Sequence, residues 1–274
     1  MYEPFEESDF AARGWYDNSG MAMTTVEHIP GSTRALEVHF TPGANVPTWG
    51  GAARHLFPAT ETVYLSYWVK YSADWVGSGH LYHPHEFQFL TNEDGPYTGP
   101  SFTHLTTYVE QNYQSGGIPH LAMQDGANVD QSRIFQDLTA ITESRGAAGC
   151  NGNTDGYTTD CYQASGVYVN GKTWTAPQAS FLPNPGPGYK GDWHFVEAYF
   201  QLNSIQNGKG LTNGIARYWF DGHLVIEHTD VLLRTGAHPD MKFNQLLVAP
   251  YIGDGSPVDQ TMWVDNLTVA RARP

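Results

Sequence analysis

Thr62-Val63-Tyr64-Leu65-Ser66-Tyr67-Trp68-Val69-Lys70-Tyr71 is the stretch whose reading decides the fold. Val63, Leu65, Tyr67, Val69 and Tyr71 take one side of an extended chain, and Tyr64, Ser66, Trp68 and Lys70 take the other. A period of two in β-branched and aromatic residues predicts a half-buried strand. Its apolar side has to pack against a second layer. Its other side mixes aromatic rings with hydrogen-bonding groups, the composition of a sugar-binding surface.

Outward from this strand the same alternation recurs. Ala35–Phe40, Glu86–Leu90, Phe102–Glu110, His120–Gln124, Phe195–Leu202, Ile215–Phe220, Leu224–Glu227, Asn244–Ala249 and Met262–Ala270 read as strands bounded by Gly, Pro, Asn or Asp. Asp221-Gly222 between Tyr218-Trp219-Phe220 and Leu224-Val225-Ile226 is the strongest hairpin signal in the chain. Gln131–Arg145 allows a short helix, and residues 146–190 form a long Gly-, Asn-, Pro- and Tyr-rich loop region. The expectation is an all-β, two-sheet antiparallel sandwich of the jelly-roll type, one domain over residues 1–274. A chain of that length can bury about 75% of its unfolded surface around one core.

Charge narrows the partners. Asp and Glu number 28 against 14 Lys and Arg, a formal charge of −14, so nucleic acid, which requires clustered Lys and Arg, is excluded as an expected partner. No apolar run approaches the ~20 residues that cross a bilayer, so no membrane association is expected. The start, Met1-Tyr2-Glu3-Pro4-Phe5, lacks the basic and apolar segments of a signal peptide. Cys150 and Cys161 bracket a polar loop; a disulfide closing it suits an oxidising compartment, so a secreted or extracellular protein is expected. The spacing is not that of a CxxC metal site.

His80-Leu81-Tyr82-His83-Pro84-His85-Glu86 is poor core material. His83 and His85 leave the same face of an extended segment and can share a proton, a metal or a ligand. His104, Thr106, Tyr108 and Glu110 share a face of one strand, and His120, Ala122 and Gln124 a face of the next. If those strands are neighbours, His104, Tyr108, His120 and the 80–86 segment meet on one concave surface.

Three segments together resemble the concanavalin-like jelly-roll polysaccharide lyases, especially families 14 and 20. They are Thr62–Tyr71 with Ala73-Asp74-Trp75; Gly191-Asp192-Trp193-His194-Phe195-Val196-Glu197 running on through Leu202-Asn203 and Asn213-Gly214 to Tyr218-Trp219-Phe220-Asp221-Gly222; and the closing Met262–Val269. The resemblance spans roughly residues 60–270 and implies the sandwich fold, with β-elimination on a uronic-acid-containing polysaccharide or oligosaccharide as the activity. The family's catalytic residues are largely replaced. Its Lys-Leu-Pro-Gly-Leu segment is His80–His85 here, its Ser-x-Arg is Phe102-Thr103-His104, and its tyrosine pair has no match near Ile118–Ala122.

The residues present allow the chemistry by other means. The catalytic candidates are His83, His85 and His104 as bases, with Tyr82 or Tyr108 as the acid. Substrate-binding candidates are Tyr64, Trp68, Lys70, Arg54 and Gln124; Trp75, Tyr97 and Tyr113 are further rings able to stack on sugars. His83, His85, His104 and His120, with Glu86, have the ligand softness for a transition metal such as Zn²⁺, Cu²⁺, Ni²⁺ or Mn²⁺. The remaining histidines, His39, His194, His223, His228 and His238, are scattered, and surface or strand-end positions are expected for them. The resemblance also implies a structural Ca²⁺ held by Glu6 or Glu7 and Asp265. Two other readings stay open: a non-catalytic, lectin-like carbohydrate-binding module, and a metal-dependent hydrolase or oxidase on the same face. No Gly-x-Ser-x-Gly elbow, HExxH, Walker loop or Glu-x-Asp-x-Glu run is present. Asn266-Leu267-Thr268 is a glycosylation sequon inside an expected strand.

Overall fold

The computed structural model describes residues 1–80, 85–113, 117–125, 172–236 and 238–274. In chain order the strands are β1 (Tyr2–Glu3), β2 (Trp15–Asp17), β3 (Met23–Thr24), β4 (Ala35–Phe40), β5 (Ala53–Thr60), β6 (Thr62–Tyr71), β7 (His85–Thr91), β8 (Thr106–Tyr113) and β9 (Ile118–Gln124). There follow β10 (Lys172–Thr175), β11 (His194–Gln201), β12 (Ile205–Gln206), β13 (Lys209–Gly210), β14 (Gly214–Phe220), β15 (His223–Val231), β16 (Phe243–Tyr251) and β17 (Gln260–Ala270). Two antiparallel sheets form a jelly-roll sandwich. The eight-stranded sheet runs β15-β14-β11-β6-β17-β4-β3, with β1 added on β17, and the seven-stranded sheet runs β10-β9-β8-β7-β16-β5-β2.

The alternation of Thr62–Tyr71 is obeyed throughout. Val63, Leu65, Tyr67, Val69 and Tyr71 enter the core between the sheets, where they meet Phe87, Phe89, Val109, Leu121, Phe200 and Leu246. Full burial of each such side chain contributes about 1.5–3 kcal/mol. The partners of β6 are β11 and β17, which makes it a central strand of the eight-stranded sheet. The Asp221-Gly222 turn also forms as expected. Both residues have positive φ, 48° and 78°, the conformation a two-residue hairpin loop requires and one that glycine adopts without strain.

Some boundaries move. The segment read as strand from Phe102 begins only at Thr106, because Pro100–Phe102 form a 3₁₀ turn and the Asp94 carboxylate captures the His104 amide. Strand β5 carries Pro58, a residue that argues against a strand. It is tolerated because β2 pairs only with Ala53–His55, leaving that side of β5 open further along. The short helix at Gln131–Arg145 and most of the 146–190 loop, including Cys150 and Cys161, lie outside the described residues; residues 172–190 contribute β10 and a 3₁₀ turn at Pro177–Ala179. Among the described residues no helix is long and apolar enough to cross a membrane.

Candidate functional site

Register builds the site on the outer face of the seven-stranded sheet. Phe87 and Val109 are paired and face the core, as does Leu121 beyond Val109. Gln88, Tyr108 and Ala122 lie side by side on the opposite face, and Glu110 sits directly across from His120. Leu90, Leu247 and Ala249 form a small apolar cluster on that face, separate from the main core.

Here the sequence places a carboxylate between two imidazoles. Glu110 Oε1 lies 2.9 Å from His85 Nδ1 and Glu110 Oε2 lies 2.8 Å from His120 Nδ1. Glu110 and His120 are fully buried, and one fifth of the His85 side chain is open. An ionised carboxylate has only acceptors, so each ring nitrogen facing it carries the proton. In the neutral ring the lone pair of His85 is then on Nε2. The His85 ring packs on Tyr108 at 5.2 Å and is stacked near-parallel with Tyr251 at 6.3 Å. The Tyr108 hydroxyl donates to Gln124 Oε1 at 2.5 Å. Gln88, almost fully buried, has an Oε1 that accepts no hydrogen bond from the described residues.

Glu86 departs from the expected set. Register shifts near Val248–Tyr251 of β16 and Glu110–Tyr113 of β8 break the alternation at this end of the sheet. Glu86 consequently turns inward. Its carboxylate accepts from the Tyr71 hydroxyl at 3.2 Å and the Gln111 amide at 3.0 Å. Burial first, and nearby charge that includes Glu86, push the Tyr67 and Tyr218 phenols well up, so both remain protonated donors behind the site.

His104 also lies elsewhere. It precedes Thr106, some six residues from Glu110, which at ~3.3 Å per residue is roughly 20 Å along β8. Its Nδ1 lies 3.4 Å from Asp94 Oδ1 and its Nε2 3.9 Å from Glu93 Oε2. Among the described residues, the group of three whose ligand atoms all come within 4.8 Å of one another is Glu93, His104 and His238. Of the metal set expected from His83, His85, His104, His120 and Glu86, the structure brings His85 and His120 together on Glu110 but places His104 and Glu86 apart from them, which corrects that set. Tyr82 and His83 lie outside the described residues.

The β6 face is corrected too. Tyr64, Trp68 and Lys70 line the outer surface of the eight-stranded sheet, across the core from His85, and cannot share its site. Tyr64 donates to Glu197 Oε1 at 2.8 Å, and burial together with that carboxylate pushes its phenol up to about 12. Lys70 is 2.6 Å from Glu27, and Trp68 packs on Phe195. Arg54 does face the same side as Tyr108, but its guanidinium is held by Asp17, Gln245 and the Thr98 carbonyl. Of the other rings, Trp75 is buried against Tyr71, Tyr97 is exposed, and the Tyr113 side chain is outside what is described.

At the joined ends of β1 and β17, Asp265 is fully buried and accepts from the amides of Ile29 and Asn266. Burial raises its pKa, and the Glu6 charge adds to the effect. Glu6 accepts from the amide and hydroxyl of Thr33. Glu7 is exposed and contributes its carbonyl to Arg13.

Glu110 stood on the Tyr108 face in the sequence without an assigned role, and its position opposite His120 needed the β8–β9 register. Gln88 gave no signal beyond lying in a strand.

No protein-family model matches the chain, and no curated protein does. Solved structures do. An alginate lyase from Chlorella virus superposes with a TM-score of 0.55 at 11% identity, covering 92% of this chain and 90% of that one. A marine family-14 alginate lyase from Aplysia kurodai gives 0.52 at 13%, covering 94% and 89%. An endo-β-1,4-glucuronan lyase from the fungus Trichoderma reesei gives 0.50 at 16%, covering 92% and 87%. The chain has the jelly-roll fold of these polysaccharide lyases.

Proposed function

We propose that the outer face of the seven-stranded sheet around His85 is the site of a polysaccharide lyase that cleaves a uronic-acid-containing glycan by β-elimination. The observation that carries this reading is Glu110 bridging His85 and His120 beside Tyr108. In such a reaction a base removes the proton α to the uronate carboxyl group, a C=C bond forms, and the bond to the glycosidic oxygen breaks as an acid protonates it. His85 Nε2 is the base, oriented by Glu110. Tyr108 gives its proton to the leaving oxygen, and exchange with water resets both groups. The amides of Gln88 and Gln124 bind the uronate carboxylate in place of an arginine, and Tyr251, 41% exposed and stacked on His85, offers its ring to a sugar. The fold shared with lyases of alginate and glucuronan supports that substrate class, while the fold by itself leaves chemistry to the site.

The test is a panel of uronate polymers, alginate and glucuronan included, followed by the near-ultraviolet absorbance of an unsaturated product. Activity that His85→Ala and Tyr108→Phe abolish is expected. Sugar binding without product would replace the lyase with a lectin-like module. Cleavage without unsaturation would replace it with a hydrolase or oxidase.

The termini carry a second proposal, a structural Ca²⁺ at Glu6 and Asp265. A buried carboxylate, Asp265, whose charge burial and Glu6 disfavour, in a pair that offers only oxygen, fits that ion. The exposed Glu7 is not part of it.

A further inference from the structure

The other end of β7, β8 and β16 holds a different cluster. Glu93 follows β7, His104 leads into β8 and His238 leads towards β16; because these neighbours are antiparallel, the three segments emerge at one end of the sheet. Glu93 Oε2 is 2.6 Å from His238 Nδ1 and 3.9 Å from His104 Nε2, and the two rings meet edge-on at 5.3 Å. We propose that Glu93, His104 and His238 form a binding site for a divalent transition metal, with Zn²⁺ the ion the donor set suits best.

Two imidazole nitrogens and one carboxylate oxygen are borderline ligands of the kind zinc takes. In a tetrahedral site with bonds near 2.0 Å the ligand atoms stand roughly 3.3 Å apart, and the observed 2.6 and 3.9 Å bracket that spacing.

The surroundings add an independent argument. Asp94, nearly buried, faces His104 Nδ1 at 3.4 Å and also accepts the His104 amide at 3.1 Å. Its other oxygen accepts from the Thr91 amide and hydroxyl. A carboxylate on the far nitrogen fixes the tautomer and leaves Nε2 to the metal, the usual support of a ligating histidine. The loop carrying His238 is pinned by buried Arg234, which donates to the carbonyls of Pro239 and Met241. An ion pair between Glu93 and His238 alone would account for neither the His104 ring nor the Asp94 support. The side chains of Glu93, His104 and His238 are 23%, 31% and 25% exposed, so a fourth position is reachable from solvent. Three protein ligands with an open fourth are the arrangement of a zinc that binds water or an oxygen ligand.

The experiment strips the protein with chelator, saturates it with excess CaCl₂, and titrates ZnCl₂ by calorimetry. One equivalent is expected in the wild type and in His85→Ala, and none in His238→Gln or Glu93→Ala. Asp94→Asn should weaken it about 10–100-fold. Should His238→Gln fail to fold, Co²⁺ decides: visible bands of a low-coordinate ion in the wild type that Glu93→Ala removes support the site. A wild type that takes up no Zn²⁺, or uptake that survives both His238→Gln and Glu93→Ala, overturns it. The outcome is independent of the lyase reading, which is tested on product.

Discussion

The two ends of β7 and β8 each set one carboxylate against two imidazoles, and they differ in which oxygens are used. At the buried end Glu110 gives Oε1 to His85 and Oε2 to His120. Each oxygen holds one ring, an array suited to orienting a proton acceptor. At the open end a single oxygen, Glu93 Oε2, faces both His238 and His104. Convergence on one point is what a cation needs. The same residue types thus differ in geometry and burial.

Glu110→Gln should break the comparison most severely. The amide can accept from one ring but presents a donor to the other, leaving a buried N–H unmet at a cost on the order of 3 kcal/mol. His85 would lose its orienting partner, and turnover should fall roughly 10²–10⁴-fold, the range for a displaced general base. Glu93→Gln, at a part-exposed ion pair, should change metal-free stability by no more than about 1 kcal/mol. Denaturant curves of the two variants check the contrast; equal losses would mean that burial does not separate the two ends.

This asymmetry was only half visible in the sequence. The strand of Thr62–Tyr71, the hairpin at Asp221-Gly222 and most strand positions follow from alternation and turn chemistry, which are local. The meeting of Tyr108, His120 and His85 was also legible, because adjacent strands with histidines on matching faces can be paired on paper. Glu86 was misplaced because a register shift has no sequence signature. His104 was misplaced because Asp94, ten residues away, holds its amide and ends the strand early. His238 looked scattered because its approach to Glu93 depends on β16 lying beside β7, a crossover that no local pattern specifies. The β6 face has the composition of a sugar-binding surface, yet composition does not say on which side of a sandwich a strand will lie.

Glu6 and Asp265 extend the comparison to a pair of carboxylates. The disfavoured charge of Asp265 should be relieved by Ca²⁺, which at a hundred times its Kd stabilises by about 2.7 kcal/mol. In protein free of transition metal, chelation of Ca²⁺ should therefore lower Tm, and Asp265→Ala should remove that sensitivity while Glu7→Ala keeps it. A melting curve indifferent to chelator would leave the burial of Asp265 without a cation to explain it.

His194 with Asp221 supplies the smallest and cleanest case, one carboxylate and one ring. His194 Nδ1 lies 2.8 Å from Asp221 Oδ2, and Nε2 lies 2.9 Å from the Tyr189 carbonyl, so both nitrogens face acceptors. Burial lowers the His194 pKa, but the bonds to Asp221 and Tyr189 outweigh it and the net shift is upward from 6.5. Burial raises Asp221, and its bonds to His194 and the Phe195 amide, helped by the charges of His194 and His223, carry it below 3.8. The folded state holds the histidine proton more tightly than the unfolded chain does. Its contribution is therefore complete below pH 6.5 and is lost as pH rises through the folded value; the Asp221 contribution is present above 3.8 and is lost as pH falls through its lowered value. Asp221→Asn keeps a residue that tolerates the positive φ of the turn but removes the charge. Between pH 5.5 and 8 the wild type should lose about 1 kcal/mol more stability than Asp221→Asn, the scale of one charge-assisted bond weakened to a neutral one. Parallel denaturation curves at both pH values for the two proteins would show instead that His194 is neutral in the fold, and that a single carboxylate needs a second acceptor arranged differently to hold an imidazolium.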